Sequence, residues 1–200
     1  MQTDTLVLFD FDGTITTQDS LDSFFRDISP NKLIYLKIKF IDTLFYFILY
    51  KLKIISLEKL KLKRINKYFS LYDNEKLLLK AINFSKYTLP KFVKNSAIEQ
   101  IKMHKMYSHK VVVVSASLNI LLTEFITSIN IELITNDIVY DNKKKIYSFK
   151  KPDCNFHEKV IRIKSKYDLL DYKYIYAYGD SNGDYQMLSI ANYKYFNYFK

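Results

Sequence analysis

The amino-acid sequence predicts an α/β fold in which a mostly parallel sheet forms the core and a helical insertion follows the first strand. Three apolar runs have the composition of strands buried on both faces of a sheet: Thr5–Phe9, Lys110–Ser117 and Tyr174–Asp180. Helical patterns lie between these runs, and alternating strands and helices are typical of a parallel sheet covered by helices. With 200 residues, the chain is long enough to bury one core and carry one insertion.

Three helices and one hairpin complete the predicted core. The helices cover about residues 91–106, 119–129 and 157–166, where apolar positions recur at helical spacing. The stretch LITNDIVYDNKKKIYSF predicts a hairpin that turns at Asp141–Asn142 and exposes a lysine run at its tip. The whole pattern predicts a Rossmann-like parallel sheet.

The helical insertion is predicted to occupy residues 19–87, which leaves residues 1–18 and 88–200 for the α/β core. Within the insertion, apolar residues recur at intervals of four and three positions in turn, which places them on one face of a helix. These residues are Ile34, Ile38, Ile41, Phe45, Ile48, Leu52 and Ile55. The insertion is also basic, since residues 15–89 contain 14 basic and 7 acidic side chains and so hold +7 of the total formal charge of +10.

The apolar helix of the insertion is too interrupted to cross a membrane. Its longest uncharged run, Thr43–Tyr50, has eight residues, whereas about 20 are needed to span a bilayer. We expect this apolar face to pack inside the insertion. The alternative is a helix that lies on a membrane surface, because lysines flank a wide aromatic face.

The composition restricts the compartment and the partners. Cys154 is the single cysteine, so no disulfide can form within the chain, and a reducing compartment fits best. The N-terminal residues show no secretion-signal pattern, and we expect a cytoplasmic protein. Nearly all of the basic residues are lysines. Coding bias alone can produce this composition, and the functional alternative is that the positive charge attracts an anionic partner. We predict no nucleic-acid partner, and the sequence does not indicate an oligomeric state.

All three glycines of the chain lie in two short acidic stretches. Gly13 belongs to DFDGT, and Gly179 and Gly183 belong to YGDSNGD. A chain that uses so little glycine keeps it where no side chain fits, in turns with positive φ or where backbone approaches a ligand. The two stretches are therefore predicted to be functional loops.

Acidic and hydroxyl side chains follow the predicted strands. Asp10 and Asp12 follow the first strand, Ser115 ends the second, and Asp180 and Asp184 follow the third. Because the carboxyl ends of parallel strands meet at one edge of a sheet, these side chains should share one small volume. Like charges that are brought together need compensation, and oxygen-rich clusters suit a hard cation such as Mg²⁺.

These stretches resemble the motifs of the haloacid dehalogenase-like (HAD) superfamily, in the order that the family shows. FDFDGT resembles the first motif, VVVVSAS the second, the lysine of CNFHEKV the third and YGDSNGD the fourth. A helical insertion directly after the first motif is similar to the subfamily that contains phosphoserine phosphatase. The resemblance implies the HAD fold with a helical cap and the hydrolysis of a phosphomonoester.

The resemblance also implies catalytic roles for four residues. Asp10 would be the nucleophile that forms an aspartyl-phosphate. Asp12 would protonate the leaving alcohol and then activate water. Ser115 would donate a hydrogen bond to a phosphoryl oxygen, and Lys159 would neutralise the phosphoryl charge and hold Asp10.

The resemblance implies a Mg²⁺ site formed by Asp10, Asp12, Asp180 and Asp184. Asp12 would contribute its backbone carbonyl, Asp180 would ligate the ion directly, and Asp184 would orient the metal or its water. An acid at Asp12 favours phosphomonoester hydrolysis, because an alkoxide needs a proton to leave and a halide does not.

The implied substrate-binding residues are Asp19, Ser115, Ala116, Ser117 and Lys159. Asp19 lies nine positions after the nucleophile, where phosphoserine phosphatases have an acidic residue that contacts the substrate amine. Asp19 is equally suited to cap a helix. The Ser115–Ala116–Ser117 sequence departs from the Ser-Gly-Gly of phosphoserine phosphatases, so the pocket should differ.

Three functions follow from these features. We favour hydrolysis of a small phosphorylated metabolite, such as an amino-alcohol or sugar phosphate. The alternative is a phosphatase that acts at a membrane surface on a lipid phosphate such as phosphatidylglycerophosphate. A non-catalytic protein that binds anions through its lysines is the least favoured.

Overall fold

The computed structural model describes residues 3–199, without the side chains of residues 41–43. The described part of the chain contains seven strands. In chain order they are β1 (Thr5–Phe9), β2 (Lys110–Leu118), β3 (Glu132–Asn136), β4 (Ile138–Asp141), β5 (Ile146–Phe149), β6 (Tyr174–Gly179) and β7 (Tyr193–Phe196). The three strands predicted from apolar runs are present within one residue of their predicted ends.

Five of the strands form one parallel sheet in the order β3-β2-β1-β6-β7. β1 is central, and Val7 is in register with Val111 of β2 on one side and Tyr176 of β6 on the other. The predicted α/β class with a parallel core sheet is confirmed. Since every strand of this sheet runs the same way, the residues that follow β1, β2 and β6 emerge at the same edge.

Within residues 3–199, nine α-helices surround the sheet and build the insertion. They are α1 (Ser20–Ile28), α2 (Lys32–Leu36), α3 (Thr43–Lys51), α4 (Leu57–Phe69), α5 (Asn74–Asn83), α6 (Asn95–Met106), α7 (Asn119–Ser128), α8 (His157–Lys166) and α9 (Tyr185–Ser189). Turns of π-helix cover Lys37–Asp42 and Phe84–Thr88, and a 3₁₀ turn covers Leu89–Phe92.

Two sequence-based boundaries differ from the structure. The helix predicted from residue 91 begins at Asn95, because Pro90 lies in the 3₁₀ turn that precedes it. The predicted hairpin forms between β4 and β5, with its turn at residues 142–145. The start of that predicted stretch instead forms β3, which pairs in parallel with β2.

The insertion leaves and re-enters the core at neighbouring positions. Thr16 and Val93 form an isolated antiparallel bridge, and the backbone amide of Thr17 donates to the carbonyl of Phe92 at 2.8 Å. The amide of Lys94 donates to the carbonyl of Ile15, also at 2.8 Å. The division at residues 18/19 and 87/88 stays a prediction, because the hydrophobic core runs from the insertion into the sheet without a break.

The two faces of β1 and β2 are buried against different layers. Val7, Phe9 and Val113 pack in the cluster that includes the helices of the insertion. Leu8 and Val112 pack on the opposite face in the cluster that includes α8 and α9. Burial on both faces explains why these strands are continuous apolar runs.

The apolar face predicted to pack inside the insertion does so only in its first part. Ile38 is 4% exposed, but Phe45 and Leu52 are 61% and 63% exposed, and Ile48 is also exposed. The side chain of Ile41 lies outside the described residues. The prediction of packing is therefore wrong for the α3 half of the face, because α4 packs beside α3 without covering these side chains.

Candidate active site

Three carboxylates meet at the carboxyl edge of the sheet. Asp10, Asp180 and Asp184 each place a carboxylate oxygen within 4.8 Å of the other two. Asp10 follows β1 directly and is held in line with β6, since its amide donates to the carbonyl of Tyr178 at 2.9 Å. The convergence that strand order predicted for these three residues is present.

The donor set of this cluster fits a divalent hard cation. Its three ligands are all carboxylate oxygens, which Mg²⁺ prefers over nitrogen or sulfur. The cluster brings together three acidic groups, whereas Lys159 is the one basic side chain bonded to them among the described residues. A divalent ion would compensate the remaining negative charge.

Two glycines allow the acidic loops to approach each other. Gly13 has φ +85°, and a Cβ atom there would lie 2.1 Å from Oδ2 of Asp180. A Cβ atom on Gly179 would lie 2.6 Å from the Cβ of Asp184. Thr14 then donates from Oγ1 to Oδ1 of Asp180 at 2.9 Å. The glycines are used where carboxylates pass close to backbone, as their distribution in the sequence predicted.

Lys159 is the buried cation of the site. It lies in the first turn of α8, and its Nζ donates to Oδ1 of Asp10 at 2.5 Å and to Oδ1 of Asp184 at 2.6 Å. A third donation reaches the carbonyl of Val114 at 2.9 Å. Burial lowers the pKa of this ammonium, but the charges of Asp10 and Asp184 outweigh that effect and raise it above its ordinary value. Lys159 is therefore a permanent cation.

Burial also dominates the electrostatics of Asp10. It raises the pKa of the carboxyl to about 7, against the opposing attraction of Lys159 and with smaller additions from Asp184 and Asp180. The other oxygen of Asp184 accepts from the amide and hydroxyl of Ser181, at 3.0 and 2.7 Å. Asp184 is thus fixed by its own loop, while one side of Asp10 remains free of described hydrogen bonds.

Asp12 lies beside the cluster, and its carboxylate is hydrogen-bonded to Ser20. Its two oxygens accept from the amide and the hydroxyl of Ser20 at 2.7 and 3.0 Å. Burial, followed by the charges of Asp19 and Asp10, raises the pKa of this carboxyl well above its ordinary value. The side chain does not join the carboxylate cluster, and metal contact through its backbone carbonyl stays a prediction.

The end of β2 forms a network of hydroxyl groups. Oγ of Ser115 accepts from the amide of Ser117 at 3.0 Å, and the hydroxyls of Ser117 and Ser20 lie 2.6 Å apart. The carbonyl of Ala116 accepts from Lys61 at 2.5 Å and from Asn136 at 2.7 Å. The Ser-Ala-Ser segment is thereby connected both to Asp12, through Ser20, and to the insertion.

Asp19 caps α1. Its Oδ1 accepts from the amide of Asp22 at 2.6 Å, and its side chain is exposed. The capping interpretation of this residue is confirmed by the geometry. Its charge also acts on Asp12, so Asp19 lies on the Asp12 side of the site. Contact with a substrate amine stays a prediction.

Four neighbours of the site were not predicted from the sequence. Ser20 binds Asp12, Thr14 binds Asp180, and Lys61 and Asn136 both bind the carbonyl of Ala116. Thr14 was within reach of sequence reasoning, since it is the last residue of the DFDGT stretch. Lys61 and Asn136 had no local signal, because lysine and asparagine are abundant in this chain.

Comparison with known proteins agrees with the fold and the motifs. The chain matches the haloacid dehalogenase-like hydrolase family over residues 7–189. It is 24% identical over 197 residues to Protein CicA of Caulobacter vibrioides, an alignment that covers 98% of this chain and 86% of that protein.

Solved structures give the same result for the fold. A protein of unknown function from Bordetella pertussis Tohama I has a TM-score of 0.76 at 18% identity, covering 95% of this chain and 88% of that chain. A phosphoserine phosphohydrolase-like protein from Francisella tularensis subsp. tularensis SCHU S4 has a TM-score of 0.65 at 18% identity, covering 98% and 86%. The family match spans both acidic loops, Lys159 and the whole insertion. The chain therefore belongs to the haloacid dehalogenase-like hydrolase family.

Proposed function

We propose that this hydrolase is a Mg²⁺-dependent phosphomonoester phosphatase that acts through an aspartyl-phosphate on Asp10. The observation that supports this most directly is the carboxylate cluster of Asp10, Asp180 and Asp184 around the buried Lys159. Phosphoryl transfer requires mainly positioning and the stabilisation of negative charge. Fixed cations beside a carboxylate nucleophile meet both requirements.

In the first step, an oxygen of Asp10 attacks phosphorus, and the bond from phosphorus to the ester oxygen breaks. Asp12 gives its proton to the departing alkoxide, so that a neutral alcohol leaves. Burial raises the pKa of Asp12, which favours the protonated carboxyl that a general acid requires. Lys159 binds Asp10 through one oxygen, which leaves the other oxygen for attack.

In the second step, the ionised Asp12 takes a proton from water as the water oxygen attacks phosphorus. The acyl-phosphate bond breaks, and Asp10 returns as a carboxylate with inorganic phosphate as the product. Ser115 donates a hydrogen bond from its hydroxyl to a phosphoryl oxygen. The hydroxyl hydrogen is available for this, because in the described hydrogen bond from the Ser117 amide the Ser115 oxygen is the acceptor. Asp10, Asp180 and Asp184 would hold Mg²⁺, which would stabilise the negative charge on the phosphoryl oxygens.

The substrate that we propose is a small phosphorylated metabolite, either an amino-alcohol phosphate or a sugar phosphate. The exposed carboxylate of Asp19, on the Asp12 side of the site, supports an amine-bearing substrate. Ala116 and Ser117 have side chains where the Ser-Gly-Gly sequence of phosphoserine phosphatases has none, so the pocket should differ from theirs. A cytoplasmic location stays a prediction.

The test is a panel of phosphomonoesters from the amino-alcohol, sugar, nucleotide and lipid classes, assayed with and without Mg²⁺. Hydrolysis should require the metal, and Asp10→Asn should lower kcat on the order of a thousandfold or more, because it removes the nucleophile. Asp171→Asn, at an exposed position outside the two acidic loops, is the matched control. Hydrolysis that survives both Asp10→Asn and chelation of the metal would contradict the proposal.

A further inference from the structure

The turn between α3 and α4 carries a cluster of exposed apolar side chains. We call it the apolar tip and define it by Leu44, Phe45, Phe47, Ile48, Leu52 and Ile54. The relative exposure of these residues ranges from 43% to 63%. Single exposed apolar residues are ordinary on protein surfaces, but six within eleven positions form a continuous patch, and such patches mark interaction sites.

The charged residues between Leu44 and Leu57 are positive, and the acidic residue that follows, Glu58, accepts from the backbone amide of Asp153. Residues 44–57 contain Lys51 and Lys53 and no aspartate or glutamate. Lys59 and Lys63 follow on the first turns of α4, and all four lysines are exposed. The tip therefore combines an apolar surface with a basic border, and a complementary partner must be apolar and anionic.

Two of these four lysines lie over aromatic rings of α3. Nζ of Lys51 is 5.3 Å from the centre of the Phe47 ring, and Nζ of Lys63 is 5.9 Å from the centre of the Tyr46 ring. Side chains of this kind extend along an apolar surface and keep the ammonium at its edge. The arrangement matches the layering of a phospholipid surface, in which anionic headgroups lie directly above acyl chains.

We propose that the apolar tip docks the protein onto the surface of an anionic phospholipid bilayer. The phenylalanine, leucine and isoleucine side chains enter the boundary between headgroups and acyl chains, and the lysines bind the headgroup phosphates. This contact is peripheral. Among the helices of residues 3–199, none is long and apolar enough to cross a membrane.

A second copy of the chain fits the tip less well than a bilayer does. A symmetric contact through the tip would bring Lys51, Lys53, Lys59 and Lys63 of one copy towards those of the other, and the whole chain carries a formal charge of +10. Like charges across an interface oppose association. An anionic lipid surface instead supplies the charge that the border lacks.

The experiment is co-sedimentation of the full chain with vesicles of phosphatidylcholine, alone or mixed with phosphatidylglycerol. The wild type should bind the mixed vesicles and bind pure phosphatidylcholine weakly. The variant Phe45→Ser/Ile48→Ser/Leu52→Ser should bind the mixed vesicles at least about a hundredfold more weakly, since three apolar insertions are removed. Lys51→Gln/Lys53→Gln should remove much of the preference for phosphatidylglycerol and the salt dependence of binding.

The matched control is the variant Leu79→Ser/Met106→Ser/Leu170→Ser, whose three residues lie elsewhere on the chain and are 56%, 84% and 93% exposed. It should bind like the wild type, and circular dichroism should show that both triple variants are folded. The proposal is overturned if the folded wild type does not bind the mixed vesicles, or if the control loses binding as strongly as the tip variant. It is also overturned if light scattering shows a wild-type dimer that the tip variant abolishes while vesicles have no effect. Because no substrate is needed, these results are independent of the proposed phosphatase activity.

Discussion

Lys159 determines how the buried carboxylates of Asp10 and Asp184 can share one site with the half-buried Asp180. Its ammonium is enclosed by Asp10, Asp184 and the carbonyl of Val114, and the side chain is 1% exposed. A buried ion pair contributes little beyond an apolar pair of equal size, but removing one partner is costly, because the other charge then stays buried without compensation. The residue that the sequence marked weakly, as one lysine among many, is therefore the one that the site depends on electrostatically.

We expect Lys159→Met to lose both stability and activity. The free energy of unfolding should fall by about 3–5 kcal/mol, the range for breaking a buried pair, and kcat should fall by at least about a hundredfold, because the proposed nucleophile, Asp10, loses its partner. Urea unfolding and hydrolysis of an aryl phosphate measure the two effects. Lys164→Met, at an exposed position on the same helix, should change neither by more than about 0.5 kcal/mol or twofold. Equal behaviour of the two variants would show that Lys159 does not hold the carboxylates.

Helix α4 connects the insertion with the core at the scale of secondary-structure elements. Lys61 donates to the carbonyl of Ala116 and to Oδ1 of Asp153, at 2.5 and 2.7 Å. Glu58, one turn earlier, accepts from the amide of Asp153 at 3.0 Å. Asn66 pairs through both of its side-chain atoms with the backbone of Tyr147 in β5. One face of α4 is thus fixed above the end of β2, directly beside Ser115.

We expect Lys61→Met to weaken substrate binding more than it slows the chemical step. The contact with Ala116 positions the insertion over the Ser115 segment, so KM should rise about tenfold, with a smaller change in kcat. Steady-state kinetics on the best substrate of the panel measures the two constants separately. Lys59→Met provides the control, because Lys59 is exposed on the same helix. If Lys61→Met lowers only the melting temperature and leaves KM unchanged, the contact is structural alone.

At the scale of the whole molecule, a buried histidine couples folding to pH. His104 of α6 lies under the sheet, with Nε2 3.0 Å from the Tyr178 hydroxyl and Nδ1 2.9 Å from Nδ1 of His109. Burial, with a smaller contribution from His109, lowers the pKa of His104 to about 4. In the unfolded chain the ordinary pKa of 6.5 applies. Between these values the unfolded state binds the extra proton, so stability falls as the pH falls.

We expect the free energy of unfolding to decrease by about 2 kcal/mol between pH 7 and pH 5 through His104 alone. His104→Gln should lower stability at pH 7, because the contact with Tyr178 is weakened, but it should flatten the dependence between these two values. Urea unfolding at several pH values measures the slope. His157→Gln, at an exposed histidine, should keep the wild-type slope. An unchanged slope in His104→Gln would mean that His104 is not held neutral in the folded protein.

The sequence by itself determined the family, the sheet and the acidic residues of the site. Strands buried on both faces must be continuous apolar runs, and parallel strands place the residues that follow them at one edge. The convergence of Asp10, Asp180 and Asp184 followed from these two rules and from the placement of the glycines. The predicted membership of the haloacid dehalogenase-like hydrolases is confirmed by the family match. All of these features depend on local composition and spacing.

The tertiary structure alone decided how side chains far apart in the chain meet. The carboxylate of Asp12 is bonded to Ser20 and is not part of the carboxylate cluster. Lys61 donates to the carbonyl of Ala116, 55 positions away in the chain. β3 joins the parallel sheet although its sequence continues into the hairpin. The exposure of α3 was equally out of reach, because an apolar helix face has the same periodicity whether a protein layer covers it or not. What packs against a residue is set by the rest of the chain, and a local pattern cannot encode it.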